Sequence, residues 1–212
     1  SAIEVKIVDS AEALAFLAAQ LKAAKQIAFD TETTSTDQML AQLVGISLAI
    51  EPGRGFYIPV GHTVAALGEG KNNLPLSAVI AAIGAPLKDA NIPKMGHNLK
   101  YDYIVAVRHG LQIAPLSFDT MIAEWLTNPD SHNLGLKKLA WVRLDQQMTE
   151  IESLIGKGKD QRSMAEVPLA TVAAYAAADA EVILRLMPLL RDEMEQKGCL
   201  KLFEEIEMPL IS

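Results

Sequence analysis

Residues 26–60, QIAFDTETTSTDQMLAQLVGISLAIEPGRGFYIPV, decide the fold. Gln26–Asp30 is a short apolar run that ends on an acid, and it reads as a strand. Leu40–Ile50 reads as a second strand, Glu51-Pro-Gly-Arg-Gly55 as a turn, and Phe56–Val60 as a third strand. This spacing predicts an antiparallel meander. Upstream, Ile3–Val8 reads as another short strand. Asp9 then stands as a helix N-cap, with Glu12 as its capping-box partner, and the helix runs to about Lys25. Downstream, Gly61–Pro75 is polar and Gly-rich and reads as loop. Leu76–Leu87 reads as helix, Pro93–Gly96 as a brief strand, and Asn98–His109 as a helix stopped by Gly110. Further helices are expected over Asp119–Thr127 and Leu134–Trp141. Leu144–Met164 reads as irregular, and a long helix from about Leu169 to Gln196 ends at Gly198. Strands come first, then mostly helices with brief strands between them. That order predicts an α/β layer fold, a central mixed sheet flanked by helices.

The 212 residues carry 19 Lys and Arg against 26 Asp and Glu, a net charge of −7, and half are hydrophobic. This is a globular mixture, too apolar for disorder. A protein that coats nucleic acid non-specifically would be basic instead. No run of about 18 apolar residues occurs, so no membrane partner is expected. No basic stretch followed by an apolar run opens these residues, so no signal peptide is expected in them. The one cysteine, Cys199, excludes an internal disulfide and favours a reducing, cytoplasmic compartment. Nothing demands more than a monomer. P-loop, dinucleotide, zincin and serine-hydrolase motifs are all absent. His62, His97, His109 and His132 lack metal-ligand spacing and read as surface or packing residues.

Three pairs of residues carry chemistry. Asp30 and Glu32 stand at i and i+2 at a strand end, so both carboxylates share one face. Their repulsion would be relieved by a hard divalent cation, Mg²⁺ or Mn²⁺. A solvated strand end is the ordinary alternative. Asn98 and Asp102 stand at i and i+4, which places them on one helix face. An N-cap and a first-turn acid complementing the helix dipole would explain them equally. Tyr175 and Asp179 repeat the i, i+4 spacing with only alanines between them. A solvated helix face would also suit them, and Glu181 nearby shows that acids occur on this helix. Together the segments supply four carboxylates and one phenol. Four carboxylates can hold two hard cations about 4 Å apart, the arrangement used for phosphodiester hydrolysis.

The three segments resemble the motifs of the DEDD 3′–5′ exonucleases, and Tyr175 four residues before Asp179 resembles the Tyr-containing subclass. Phe29-Asp-Thr-Glu-Thr33, Leu43-Val-Gly-Ile-Ser47, Asn98-Leu-Lys-Tyr-Asp102, Phe118-Asp-Thr-Met121, Gly156-Lys-Gly-Lys159 and Glu207-Met-Pro-Leu210 are similar to segments of the proofreading exonuclease domain of bacterial DNA polymerase I. The resemblance covers essentially the whole sequence. It implies an RNase H-like core over 1–200, with 201–212 beginning the connection to a polymerase region in cis. It implies a two-metal 3′–5′ exonuclease acting on single-stranded or frayed DNA 3′ ends. Asp30, Glu32 and Asp179 would hold one ion, and Asp30 would bridge to a second near Asp102. Tyr175 and Glu32 would position the attacking water. Thr33, Asn98, Lys100 and Tyr101 would hold the terminal nucleotides. Thr36, His97, Ile151 and Ser131 stand where the family often has Leu, Gln, an aromatic residue and Arg; these differences bear on substrate affinity, not on the chemistry. A largely structural module and an RNA 3′-end exonuclease are the alternative readings. The four acids are expected to converge in one open cleft at the sheet edge.

Overall fold

A computed structural model describes residues 3–211; residues 1, 2 and 212, at the outer ends of the two expected regions, lie outside the described residues. Strands β1 (Glu4–Ile7), β2 (Ile27–Thr33), β3 (Leu43–Glu51), β4 (Arg54–Pro59), β5 (Lys94–Gly96) and β6 (Leu116–Asp119) form one mixed sheet in the order β1-β4-β3-β2-β5-β6. The β2-β3-β4 meander is antiparallel, whereas β1 joins β4, and β5 and β6 extend from β2, in parallel. The structure thus has the expected α/β architecture.

Side chains alternate across β2 and so divide the protein into two cores. Ile27 and Phe29 pack with Leu17 and Leu21 of α1 (Ala11–Lys22) and Ile83 and Leu87 of α3 (Leu76–Lys88). Ala28 faces the other way and packs with Ala180, Ile183 and Leu186 of α8 (Leu169–Gln196). That helix spans 28 residues, about 42 Å, and lies across β2, β3 and β4. It seats closely because Gly55 of β4 faces Ala177: a Cβ on Gly55 would fall 2.6 Å from the Ala177 carbonyl oxygen. No helix among the described residues is long and apolar enough to cross a membrane.

Several local expectations shift. The first helix is capped by Ser10, whose Oγ accepts from the Ala13 amide at 3.1 Å, while Asp9 pairs with Lys71 at 3.0 Å. The helix also stops at Lys22, and β3 begins at Leu43, not Leu40. Short helices α2 (Val64–Leu67) and α7 (Ile151–Ile155) interrupt segments expected to be irregular. Strand β6 was not expected, because four residues carry too little periodicity to stand out. The tail reads in sequence as a helix whose partner is missing. It instead folds back through α9 (Leu200–Leu202) and two further turns, burying Phe203, Met208 and Ile211 in the second core. Phe203 packs on Phe118 at a centroid distance of 4.9 Å.

Candidate active site

Asp30 and Glu32 follow Ala28 on the α8 side of β2, as period-two alternation requires. From above, α8 presents Tyr175 and Asp179 one turn apart. Carboxylate oxygens of Asp30, Glu32 and Asp179 lie within 4.8 Å of one another. Glu32 and Asp179 are each only 6% exposed. Asp102, on α4 (Leu99–Arg108), joins from the side, and its Oδ1 accepts hydrogen bonds from the backbone amide of Thr31 at 2.9 Å and from the Thr31 hydroxyl. Thr31 points away from Asp30 and Glu32, and in this way it clasps the fourth acid to the strand that carries the first two. Asp30, Glu32 and Asp179 therefore meet at the C-terminal end of a central strand, and Asp102 is held beside them, near enough for its charge to act on Asp30 and Glu32. Strand β2 is central in the sheet order, but β5 pairs with it only at Ile27 and Ala28, so Asp30 and Glu32 lie beyond that pairing, where β2 has a partner strand on the β3 side alone.

Burial dominates the electrostatics. It pushes the carboxyls of Asp30 and Glu32 well above the usual range, and neighbouring carboxylates push further: Asp102, Glu32 and Asp179 act on Asp30, and Asp179 and Asp102 on Glu32. Asp102 is raised to about 7, again chiefly by burial, against the hydrogen bonds from Thr31. Asp179 is raised by burial and partly restored by Lys137. The Tyr175 phenol is pushed up by burial and by Asp179, Glu32 and Asp30, so it keeps its proton at any physiological pH. Oxygen donors only, four acids and mutual repulsion make a donor set suited to hard divalent cations. A cleft of about 260 Å³ opens beside Asp179, lined by Ala174, Tyr175, Ala178 and Asp179 of α8 and by Gln146–Thr149 and Leu154; of the four acids expected to share one open cleft, only Asp179 lines it.

The remaining expected residues border this cluster. The Thr33 hydroxyl meets the Tyr101 hydroxyl at 2.5 Å, and Tyr101 also donates to the Ser35 carbonyl, which pins the loop after β2. Asn98 is not on the helix face with Asp102. It precedes the helix in the left-handed conformation (φ 55°) and makes no side-chain cap. The Lys100 ammonium donates to the Leu210 carbonyl at 3.2 Å, on the folded-back tail. The other acid noted on α8, Glu181, is 1% exposed and accepts from the Gly53 amide at 2.9 Å, holding the β3–β4 turn.

Three contributors escaped the sequence. Thr31 is hidden by lying between two acids. Lys137, on α6 (Leu136–Leu144), bonds Asp179 and sits 4.0 Å from the centroid of the Tyr175 ring. Its one sequence signal is the i, i+3 relation to buried Ala140, whereas the adjacent Lys138 is exposed. Asp119 accepts from the amides of Asn98 (3.2 Å), Leu99 (2.7 Å), Met121 (2.8 Å) and Ile122 (3.2 Å). One buried carboxylate thus caps α4 and α5 (Thr120–Thr127) together, and fixes the helix that carries Asp102. Asp119→Ala is expected to cost about 2–3 kcal/mol, because two caps are lost and buried amides are left unpaired. Urea denaturation measures this; a loss below about 0.5 kcal/mol, the scatter of ordinary surface changes, would contradict the double-cap role.

A family model described as 3′–5′ exonuclease matches residues 5–195. DNA polymerase I of Chloroflexus aurantiacus is 41% identical over 210 residues, 98% of this chain, and the chain spans 21% of that relative's length. Among solved structures, Escherichia coli RNase D, an exoribonuclease involved in structured RNA processing, superposes with a TM-score of 0.75 at 23% identity, covering 99% of this chain and 50% of that one. Brucella melitensis NrnC with bound Mg²⁺ superposes with a TM-score of 0.63 at 22% identity, covering 89% of this chain and 82% of that one.

Proposed function

The chain belongs to the 3′–5′ exonuclease family whose model spans residues 5–195, and from that premise we propose that it removes nucleotides one at a time from single-stranded or frayed DNA 3′ ends as the proofreading region of a DNA polymerase I. The observation that carries this is the meeting of Asp30, Glu32 and Asp179 within 4.8 Å, with Asp102 clasped to the same strand. In this reading residues 1–200 form the nuclease and 201–212 lead towards a polymerase region in cis. The 41% identity to a DNA polymerase I supports DNA over RNA as substrate.

Asp30, Glu32 and Asp179 would hold one divalent ion, and Asp30 with Asp102 a second, Mg²⁺ or Mn²⁺. Such ions supply positive charge that lowers the pKa of water and offsets the charge on the leaving 3′ oxygen. The residues do the rest. Glu32 accepts a hydrogen bond from the attacking water, and Tyr175, protonated throughout, fixes its direction with a hydroxyl that does not titrate. Thr33 and Tyr101 hold the loop that borders the terminal nucleotide, while Asn98 and Lys100 lie at the start of α4 for its phosphate and sugar. An open cleft admits a single strand and requires a duplex end to fray.

The test is digestion of a 5′-labelled single strand with Mg²⁺ or Mn²⁺. Stepwise shortening from the 3′ end is expected. Shortening no faster than that by Asp179→Ala would overturn the proposal, and a clear preference for a matched RNA strand would replace DNA as substrate. Tyr175→Phe is expected to lower the single-turnover rate by about 10–100-fold, the scale of one lost positioning contact, with Mn²⁺ affinity unchanged in calorimetry. An unchanged rate would remove Tyr175 from the water-positioning role.

A further inference from the structure

An ammonium stands inside the acid cluster and takes no part in the proposed hydrolysis. Lys137 reaches in from α6 with its side chain 13% exposed, its Nζ bonded to Asp179 Oδ1 and lying 4.0 Å from the centroid of the Tyr175 ring. Leu139 and Ala140, two and three residues further on, are buried, which anchors this stretch of α6. The charge of Lys137 is felt beyond its direct partner: it opposes the upward shift of Asp30, Glu32 and Asp179 alike, and it helps to hold His97 neutral. A divalent ion bound by Asp30, Glu32 and Asp179 would need the same carboxylate and would stand within a few ångströms of a like charge. The lysine stem is unbranched and flexible, so the ammonium is able to withdraw towards solvent while α6 stays in place.

We infer that Lys137 is a tethered counter-ion that competes with the divalent cation for Asp179 and thereby sets the metal affinity of the site. The inference rests on the metal-dependent reading above. With metal withheld, Lys137 keeps the carboxylates together. With metal supplied, it is displaced, and the work of displacing it weakens binding.

The test compares Mn²⁺ titration by calorimetry, and melting in chelator, for the intact protein and three variants. Lys137→Met keeps the apolar stem over Tyr175 and removes the charge. It is expected to bind Mn²⁺ about tenfold more tightly, the scale of one close charge pair, and to melt at a lower temperature in chelator. Lys137→Arg keeps the charge and is expected to stay within about twofold of the intact protein. Lys138→Met removes the same charge from the exposed side of the same helix and is expected to change neither quantity. If Lys137→Met does not fold, Lys137→Gln takes its place. Unchanged or weaker Mn²⁺ binding by the Lys137 variants would overturn the inference while leaving the metal site standing. Equal tightening by Lys138→Met would overturn it too, in favour of a general field. If the intact protein binds no Mn²⁺, the metal-dependent reading falls and the inference falls with it.

Discussion

Asp30→Asn is expected to lower the exonuclease rate about 10³-fold and, in chelator, to make the protein more stable. Two opposite effects follow from one carboxylate. In the working site Asp30 is the acid proposed to bridge both ions. Losing that ligand removes transition-state charge stabilisation of several kcal/mol, and about 4 kcal/mol corresponds to about 10³ in rate. Without metal, the same carboxylate is a liability. Burial and the charges of Asp102, Glu32 and Asp179 all disfavour its ionised form, and only Lys137 opposes them. Its carboxylate accepts a long hydrogen bond from the Ser47 hydroxyl at 3.5 Å, so little bonding is lost with it. Removing the charge should stabilise the fold by about 1 kcal/mol, or about 2–4 °C in melting temperature for a domain of this size.

The pH dependence in chelator carries the same sign. Asp102 moves from 3.8 to about 7 on folding, and Asp30 and Glu32 are also raised. Folded protein then takes up protons that unfolded chain does not. This contribution to stability is complete below about pH 4, where unfolded carboxylates protonate, and is lost as the pH rises towards 7. The Asn variant should flatten that slope. Equal melting of variant and parent, with equal slopes, would contradict a strained acid cluster even if activity were lost.

Gly55→Ala is expected to destabilise the protein by about 2–3 kcal/mol, the cost of overpacking a tight contact, and to lower its melting temperature by about 5–10 °C. The added Cβ would lie 2.6 Å from the Ala177 carbonyl oxygen, 2.7 Å from its Cβ and 2.9 Å from its Cα. Two of these three atoms are backbone, so no side-chain rotation relieves the clash and α8 has to lift. Ala177 stands midway between Tyr175 and Asp179. A lifted helix therefore withdraws both from β2, and Mn²⁺ binding should weaken along with stability. Gly84→Ala provides the contrast. Its Cβ would meet nothing closer than Ile80 Cγ2 at 3.9 Å, in the interior of α3. There the change should stabilise by about 0.5–1 kcal/mol through helix propensity alone. Denaturation curves for the two variants check both signs. Equal effects would show that the Gly55–Ala177 approach does not set the helix position.

Legibility of the site in sequence follows the range of the physics. Asp30 with Glu32, and Tyr175 with Asp179, were readable because alternation along a strand and the turn of a helix act over two to four residues. The same spacing misled at Asn98, where a left-handed residue stands before the helix, its amide drawn to Asp119 from a different strand. Burial of Glu181 was invisible for a similar reason: its partner, the Gly53 amide, is 128 residues away.

Local sequence determined the kinds and order of the elements, and the four acids that their ends would display, since hydrophobic period and residue spacing are properties of the neighbouring chain. Which groups those acids would meet was decided only by packing. The clasp of Thr31 on Asp102, the ammonium of Lys137 among the carboxylates, and the approach of α8 over Gly55 each join residues 42 or more positions apart or seat whole elements against one another. Their energies depend on burial and on distances of a few ångströms, quantities that exist only once the sheet and the long helix have closed together.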